Sequence, residues 1–465
     1  MTFPPTKGRI AILATAVLLI WSAVFASTYR YPFFWDDYHC IRQYSAQELF
    51  STFHGWDDPD KMETPALRPI VATLFDFQGW AFGEDVTLHR IFLTALMWTL
   101  LFMFGLLLAE LEFNSFQIAL VFALFVFSRA FATVNLWIIL SSLVLSYTLM
   151  VLALFLFVRW LKEGRLLHLG LMSVAALLAV FTREEAYVLA AAALLIWAFS
   201  PNFWTLWRRA LIAAACLLTI SAVHFVLRLI FVPEAPSPKF TIEAFQMVWL
   251  CLKSAWLPGG YKTLGLVDGL LTNLWIGFLI LLLILFLRIS RPIKRWQALG
   301  VCCLGFLFAS PAVAVAHSYG LTLPALAFSA AISISIDEVY SQAKLREWFD
   351  KRRRFALVSV IALGLIIGIG GGLRRSVYVA ESLHENCALK ILFDATFIFD
   401  FTERPTTVPE KRKETARSRL AAVGIVTKED IQRVYQNCAQ NDAQYVQNRE
   451  SRAAPFLPKY AYGSY

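Results

Sequence analysis

An all-α polytopic membrane protein with about eleven transmembrane helices is the fold class this sequence predicts. Three observations predict it. Of 465 residues, 58% are hydrophobic and only 16% charged, too apolar a balance for a soluble chain of this length. The apolar residues come in runs of near-spanning length, and a helix needs about 20 residues to cross the hydrocarbon. The Lys and Arg behind the net charge of +9 gather in short loops between those runs. That is the signature of cytoplasmic loops and not of a nucleic-acid-binding face.

Taken in order, Lys7 and Arg9 precede the first run, 10–28. Val24 and Ala26 offer small residues for signal cleavage, but the run is long enough to span and is read as a retained helix. The further runs are 91–111, 116–134, 138–158, 166–181, 186–200, 211–232, 270–287, 298–316, 321–336 and 355–373. The basic clusters test this list: Lys7/Arg9, Arg159/Lys162/Arg165, Arg208/Arg209, Arg288/Arg291/Lys294/Arg295, and Lys344 through Arg354. An even number of crossings separates each successive pair, as a return to the same side requires. The short runs around "FTREEAY" are therefore read as a hairpin with Arg183, Glu184 and Glu185 at its outer tip. This places the N-terminus in the cytoplasm. Outside lie loop 29–90, tip 128–135, the "TREE" turn, loop 233–269, His317–Tyr319 and the tail. The expected organisation is a transmembrane domain, 1–373, followed by an extracytoplasmic C-terminal region, 374–465. The tail holds a Pro- and charge-rich linker, "TERPTTVPEKRKE", then a helical pattern with Thr427 as N-cap. Cys216, Cys302 and Cys303 fall inside spans as small apolar fillers. Cys387 and Cys438 share the oxidising side, where a disulfide is open to them.

Nearly all polar chemistry thus lies on one face. An Asp at the bilayer centre costs about 2.5–3.5 kcal/mol on insertion scales, so charges at its rim need a reason. In "YRYPFFWDDYHC", Asp36 and Asp37 follow the first helix directly. They are a hydrated loop start, a general base, or an acid cluster holding a divalent cation. Arg68 in "ETPALRPIVATLF" either snorkels or grips a lipid phosphate, which its planar fork suits better than an ammonium would. "GWDDPDK" carries Asp57, Asp58 and Asp60. Without a nucleotide-binding pattern around it, that segment reads as a solvated turn. Arg183 and Glu184 become functional candidates if they face the same cavity as Asp36. Arg129 in "FVFSRAFATVNLW" reads as an interfacial anchor. His317 and Tyr319 in "AHSYGLTLP" read as hydrogen-bonded structure between two spans.

In this order the pieces resemble the GT-C superfamily of integral-membrane glycosyltransferases. The similarity is to the protein O-mannosyltransferase and TMTC-type branch, and more distantly to aminoarabinose transferases. The residues that carry it are the acidic pair Asp36–Asp37 after helix one and Arg68–Pro69–Ile70 before helix two. "SRAFATVNLWIILSS", Arg183–Glu184 and "YGLTLP" complete the series, which covers roughly 10–336. Family sequences often have His-Pro where Ser128–Arg129 stands here. The resemblance implies a polyprenyl-phosphate-linked sugar donor, with an acceptor hydroxyl on a glycan, lipid or protein and no nucleic acid. One acid of the pair is then the general base, Asp37 ahead of Asp36, while the other orients it or shares a divalent metal, and no cofactor is otherwise implied. Arg68 and Arg183 would hold the donor phosphate, supported by Glu184, Arg129, His317 and Tyr319. The setting implied is a bacterial inner membrane, with a periplasm-facing site serving the cell envelope. Rival readings are a flippase of a lipid-linked intermediate, an oligosaccharide polymerase or ligase, and a non-catalytic scaffold.

Overall fold

The computed structural model describes residues 5–30, 37–59, 65–234, 266–313, 321–345 and 351–385, with isolated positions between 413 and 430. Among the described residues every regular element is helical. The chain begins with α1 (Lys7–Val24), followed by the short α2 (Asp37–Cys40) and α3 (Ala46–Ser51). Then come α4 (Pro69–Phe82), α5 (Val86–Glu110), α6 (Ser115–Val126), α7 (Arg129–Leu136) and α8 (Ser141–Glu163). A hairpin of α9 (Leu166–Thr182) and α10 (Leu189–Phe199) leads to α11 (Trp207–Phe231). The remainder are α12 (Leu266–Ile289), α13 (Pro292–Ala309), α14 (Thr322–Leu345) and α15 (Lys351–Glu385).

Seven helical stretches are long and apolar enough to cross a membrane, and eight if α6 and α7, bent by 61° at 127–128, form one span. Among the described residues every run named from the sequence overlaps a helix, but α9 and α10 are short, at 17 and 11 residues. Two boundaries differ from expectation. Residues 69–82 of the first loop form a 14-residue helix, and α15 runs through position 373 to Glu385. The helix starts follow from local chemistry. Asp85 accepts from the N–H groups of Thr87 and Leu88 to cap α5, and Asn114 with Gln117 makes a capping box on α6. Gly164 ends α8 at φ 68°, and the Arg209 guanidinium occupies the space a side chain would need. In the tail, Asp430 accepts from the N–H of Thr427 at 3.0 Å, the return half of an N-terminal cap.

The core is aromatic and aliphatic. Trp21, Phe122, Phe125, Phe131, Phe157 and Phe328 are fully buried, and α14 and α8 are the most enclosed spans. Polar contacts sort into two ends. At one, Glu110 meets Arg159 and Lys162 at 3.0 and 2.7 Å, and Arg209 donates to the Leu161 carbonyl. Asn202 there donates to Glu112, Asn114 and Gln117 donate to Asp337, and Arg291 grips Glu338 with two nitrogens. The basic loops after α8, before α11 and after α12 therefore share one end. Because α9 begins and α10 finishes there, the chain reverses between them, at 183–188.

The other end carries the first loop. Gly79 on α4 sits directly on the Arg42 backbone, where a Cβ would collide with main-chain atoms that have no room to yield. Gly79→Ala is expected to destabilise the protein by about 1–3 kcal/mol, read as a lowered unfolding midpoint in detergent. An unchanged midpoint would show that the α4–loop contact is not tight.

Candidate functional site

Arg68 is the N-cap of α4, and Pro69 at the first helical position stops the chain from continuing helical backwards. The guanidinium therefore projects beyond the helix start. Its Nε donates to Glu184 Oε2 at 2.7 Å, its Nη2 reaches the same oxygen at 2.6 Å, and its Nη1 lies 3.8 Å from Asp57 Oδ2. Glu184 opens the 3-10 turn Glu184–Val188 at the tip of the α9–α10 hairpin. Its second oxygen lies 3.7 Å from Arg228 Nε, in the last turns of α11. Arg183, extended at φ −158°, turns its Nε onto both oxygens of Glu185, at 3.1 and 3.2 Å. Three guanidinium groups and three carboxylates from four chain segments thus meet at one end of the bundle. All six side chains are at most 22% exposed.

A second chain of bonds braces this cluster. His224, buried on α11, faces the Leu67 carbonyl through Nε2 at 3.1 Å and the Tyr187 hydroxyl through Nδ1 at 2.7 Å. A carbonyl only accepts, so Nε2 carries the proton, Nδ1 accepts, and Tyr187 donates. The phenol tip of the hairpin and the backbone next to Arg68 are held by one ring, with Phe181 packed edge-on against it at 4.7 Å.

The electrostatics are those of a paired, desolvated set. Burial alone would push the Glu184 carboxyl up, but the charge and hydrogen bonds of Arg68 outweigh it and hold it below the ordinary carboxylate range. Burial would likewise lower Arg68, and Glu184, Asp57 and Glu185 together raise it instead. Burial, then the charge of Glu184, push the Tyr187 hydroxyl up, so it stays a proton donor. The cluster matches three guanidinium groups with three carboxyl groups.

Asp37 stands on a different anchor. It opens α2, is wholly buried, and its Oδ1 accepts from the Ile139 N–H at 2.8 Å. That N–H belongs to the turn Ile138–Leu140, between α7 and α8, so the carboxylate sits at a helix start, where negative charge is favoured. Arg129 begins α7 at the same end of the bundle, after its cap Ser128. Asp36, His317 and Tyr319 lie outside the described residues, as do Cys387 and Cys438. Among the described residues no group of three His, Cys, Asp or Glu is arranged to hold a metal ion.

Of the residues picked from sequence, Arg68, Arg183 and Glu184 come together. The first-loop acid set against them is Asp57, from the segment read as a solvated turn. Its N–H bonds the Ala66 carbonyl at 2.9 Å, which folds "GWDD" back onto the strand of chain before Arg68. The sequence reading also passed over His224 and Arg228. Their signal was there: a His and an Arg four residues apart in the apolar stretch of a helix whose other charges, Arg208 and Arg209, stand at its opposite end. Comparison with family models and with curated proteins gives no match. Fold and site define a multi-pass helical membrane protein with a buried, charge-paired cluster at one end of its bundle.

Proposed function

We propose that this protein is a glycosyltransferase that moves a sugar from a polyprenyl-phosphate-linked donor to an acceptor hydroxyl at the extracytoplasmic face. The observation that carries the reading is the meeting of Arg68 and Arg228 at Glu184, with Arg183 held beside them by Glu185, at the end of the bundle opposite the basic loops. A lipid-linked donor keeps its phosphate at headgroup depth, where such guanidinium groups can exchange a carboxylate partner for a phosphate oxygen. In the reaction, the acceptor oxygen bonds to the anomeric carbon while the bond from that carbon to the phosphate oxygen breaks. The acceptor proton passes to Asp37, and Asp36 is its neighbouring acid. Polyprenyl phosphate leaves with the bond pair, and Arg68 and Arg183 stabilise the charge it gains. Glu184 keeps Arg68 aimed in the resting state and Glu185 does the same for Arg183, and the site is taken to face the periplasm of a bacterial inner membrane.

The test is turnover by purified protein in detergent with labelled polyprenyl-phosphate sugar and a mixture of envelope acceptors. The expected result is acceptor-dependent release of free polyprenyl phosphate. Movement of the intact lipid between leaflets of proteoliposomes, without release, would instead establish a flippase and overturn the proposal.

A further inference from the structure

Helix α4 crosses the bundle instead of running along it. At its start Arg68 meets Glu184, at the end of α9. Near its finish Gln78 donates to Ser141, the first residue of α8, at 2.9 Å, and faces His89, in the first turn of α5, at 3.4 Å. Those three helix termini all belong to the same end of the bundle. Fourteen residues, about 21 Å of helix, therefore lie parallel to the plane in which the spans stop.

Such a helix should turn a polar face away from the protein. This one does not. Opposite its buried side runs a stripe of Thr73, Phe77, Trp80 and Ala81, spaced as one helical face and free of charge. Trp80 is 71% exposed and Phe77 43%. The direction of the stripe follows from its ring contacts. Phe77 and Phe82 lie 5.8 and 5.5 Å from Phe92, which is six residues, or about 9 Å, into α5. The exposed aromatics thus reach down the flank of the bundle, where Leu88 and Ile91 of α5 are also exposed. Apolar surface is continuous from α4 onto a membrane-spanning helix.

We infer that α4 is an in-plane helix whose Phe77–Trp80 edge sits in the lipid headgroup layer at that end of the bundle and fixes Arg68 at headgroup depth. A Trp beside Phe at the end of a span is what the interfacial belt selects. The absence of any charge on the stripe suits acyl-chain and headgroup contact better than a solvated protein partner. This inference does not depend on the glycosyltransferase reading.

A benzophenone side chain placed at 77 or 80 in the full-length protein, and photolysed in native membranes, tests it. Position 19, exposed on α1, is the reference on an apolar membrane-spanning helix, and position 426, exposed in the polar tail, is the aqueous one. Phospholipid adducts at 77 and 80 are expected at a yield similar to position 19 and about ten-fold above position 426. Yields as low as at 426, or protein adducts in place of lipid, would overturn the inference.

Discussion

Asp37→Asn is expected to reduce glycosyl transfer by about 10²–10⁴-fold, the usual contribution of a positioned general base, while leaving the protein folded. The amide oxygen of asparagine still accepts from the Ile139 N–H, so the bond that ties α2 to the start of α8 survives. What is lost is the negative charge and with it the ability to take a proton. Asp37→Ala removes the bond too, and its unfolding midpoint should fall as well, because a buried N–H is left without its acceptor at a cost of about 1–3 kcal/mol. The measurement is turnover beside thermal unfolding for the two variants. Full turnover in Asp37→Asn would reduce Asp37 to a helix cap and remove the base from the mechanism.

Arg68→Ala should be the most damaging change at the charged cluster. Glu184 would lose the guanidinium that holds its proton off, leaving a buried carboxylate with Arg228 at 3.7 Å and the charge of Arg183 as its remaining cations. Breaking a buried pair costs about 3–5 kcal/mol. The partial exposure of both side chains brings the expected loss here to about 2–3 kcal/mol. Turnover should fall about 10²–10³-fold for want of charge stabilisation on the leaving phosphate. Arg68→Lys separates the two effects. An ammonium keeps the charge opposite Glu184, so most of the stability should return. It cannot present a planar fork to a phosphate, so turnover should stay low. Equal recovery of both would mean that Arg68 serves the fold alone.

How much of this could be read from the chain depends on how local each signal is. The apolar runs are local: twenty adjacent side chains suffice to make a span favourable, and among the described residues each run overlaps a helix. The basic loops are local too, and contacts such as Arg159 with Glu110 and Arg209 with Leu161 gather three of them at one end. Helix α4 was less visible because its buried face, through Gly79 and Gln78, is packed against the first loop and the start of α8. It is not set off by a polar outer face, so no amphipathic period marked it. Arg228 and His224 were hidden by their setting, since two polar residues at the end of a long apolar helix gain meaning only from what faces them.

By itself, then, the sequence determined the multi-pass helical class, the location of the apolar helices and the gathering of basic loops, because hydrophobic length and loop charge act on neighbouring residues. Tertiary structure alone decided which charges pair. Arg68 and Glu184 stand 116 positions apart, and Asp57 was drawn from a seemingly solvated turn to within 3.8 Å of the same arginine. The reason is physical: a charge removed from water must find its counter-charge wherever the helix ends bring one within reach, and no spacing along the chain encodes that meeting.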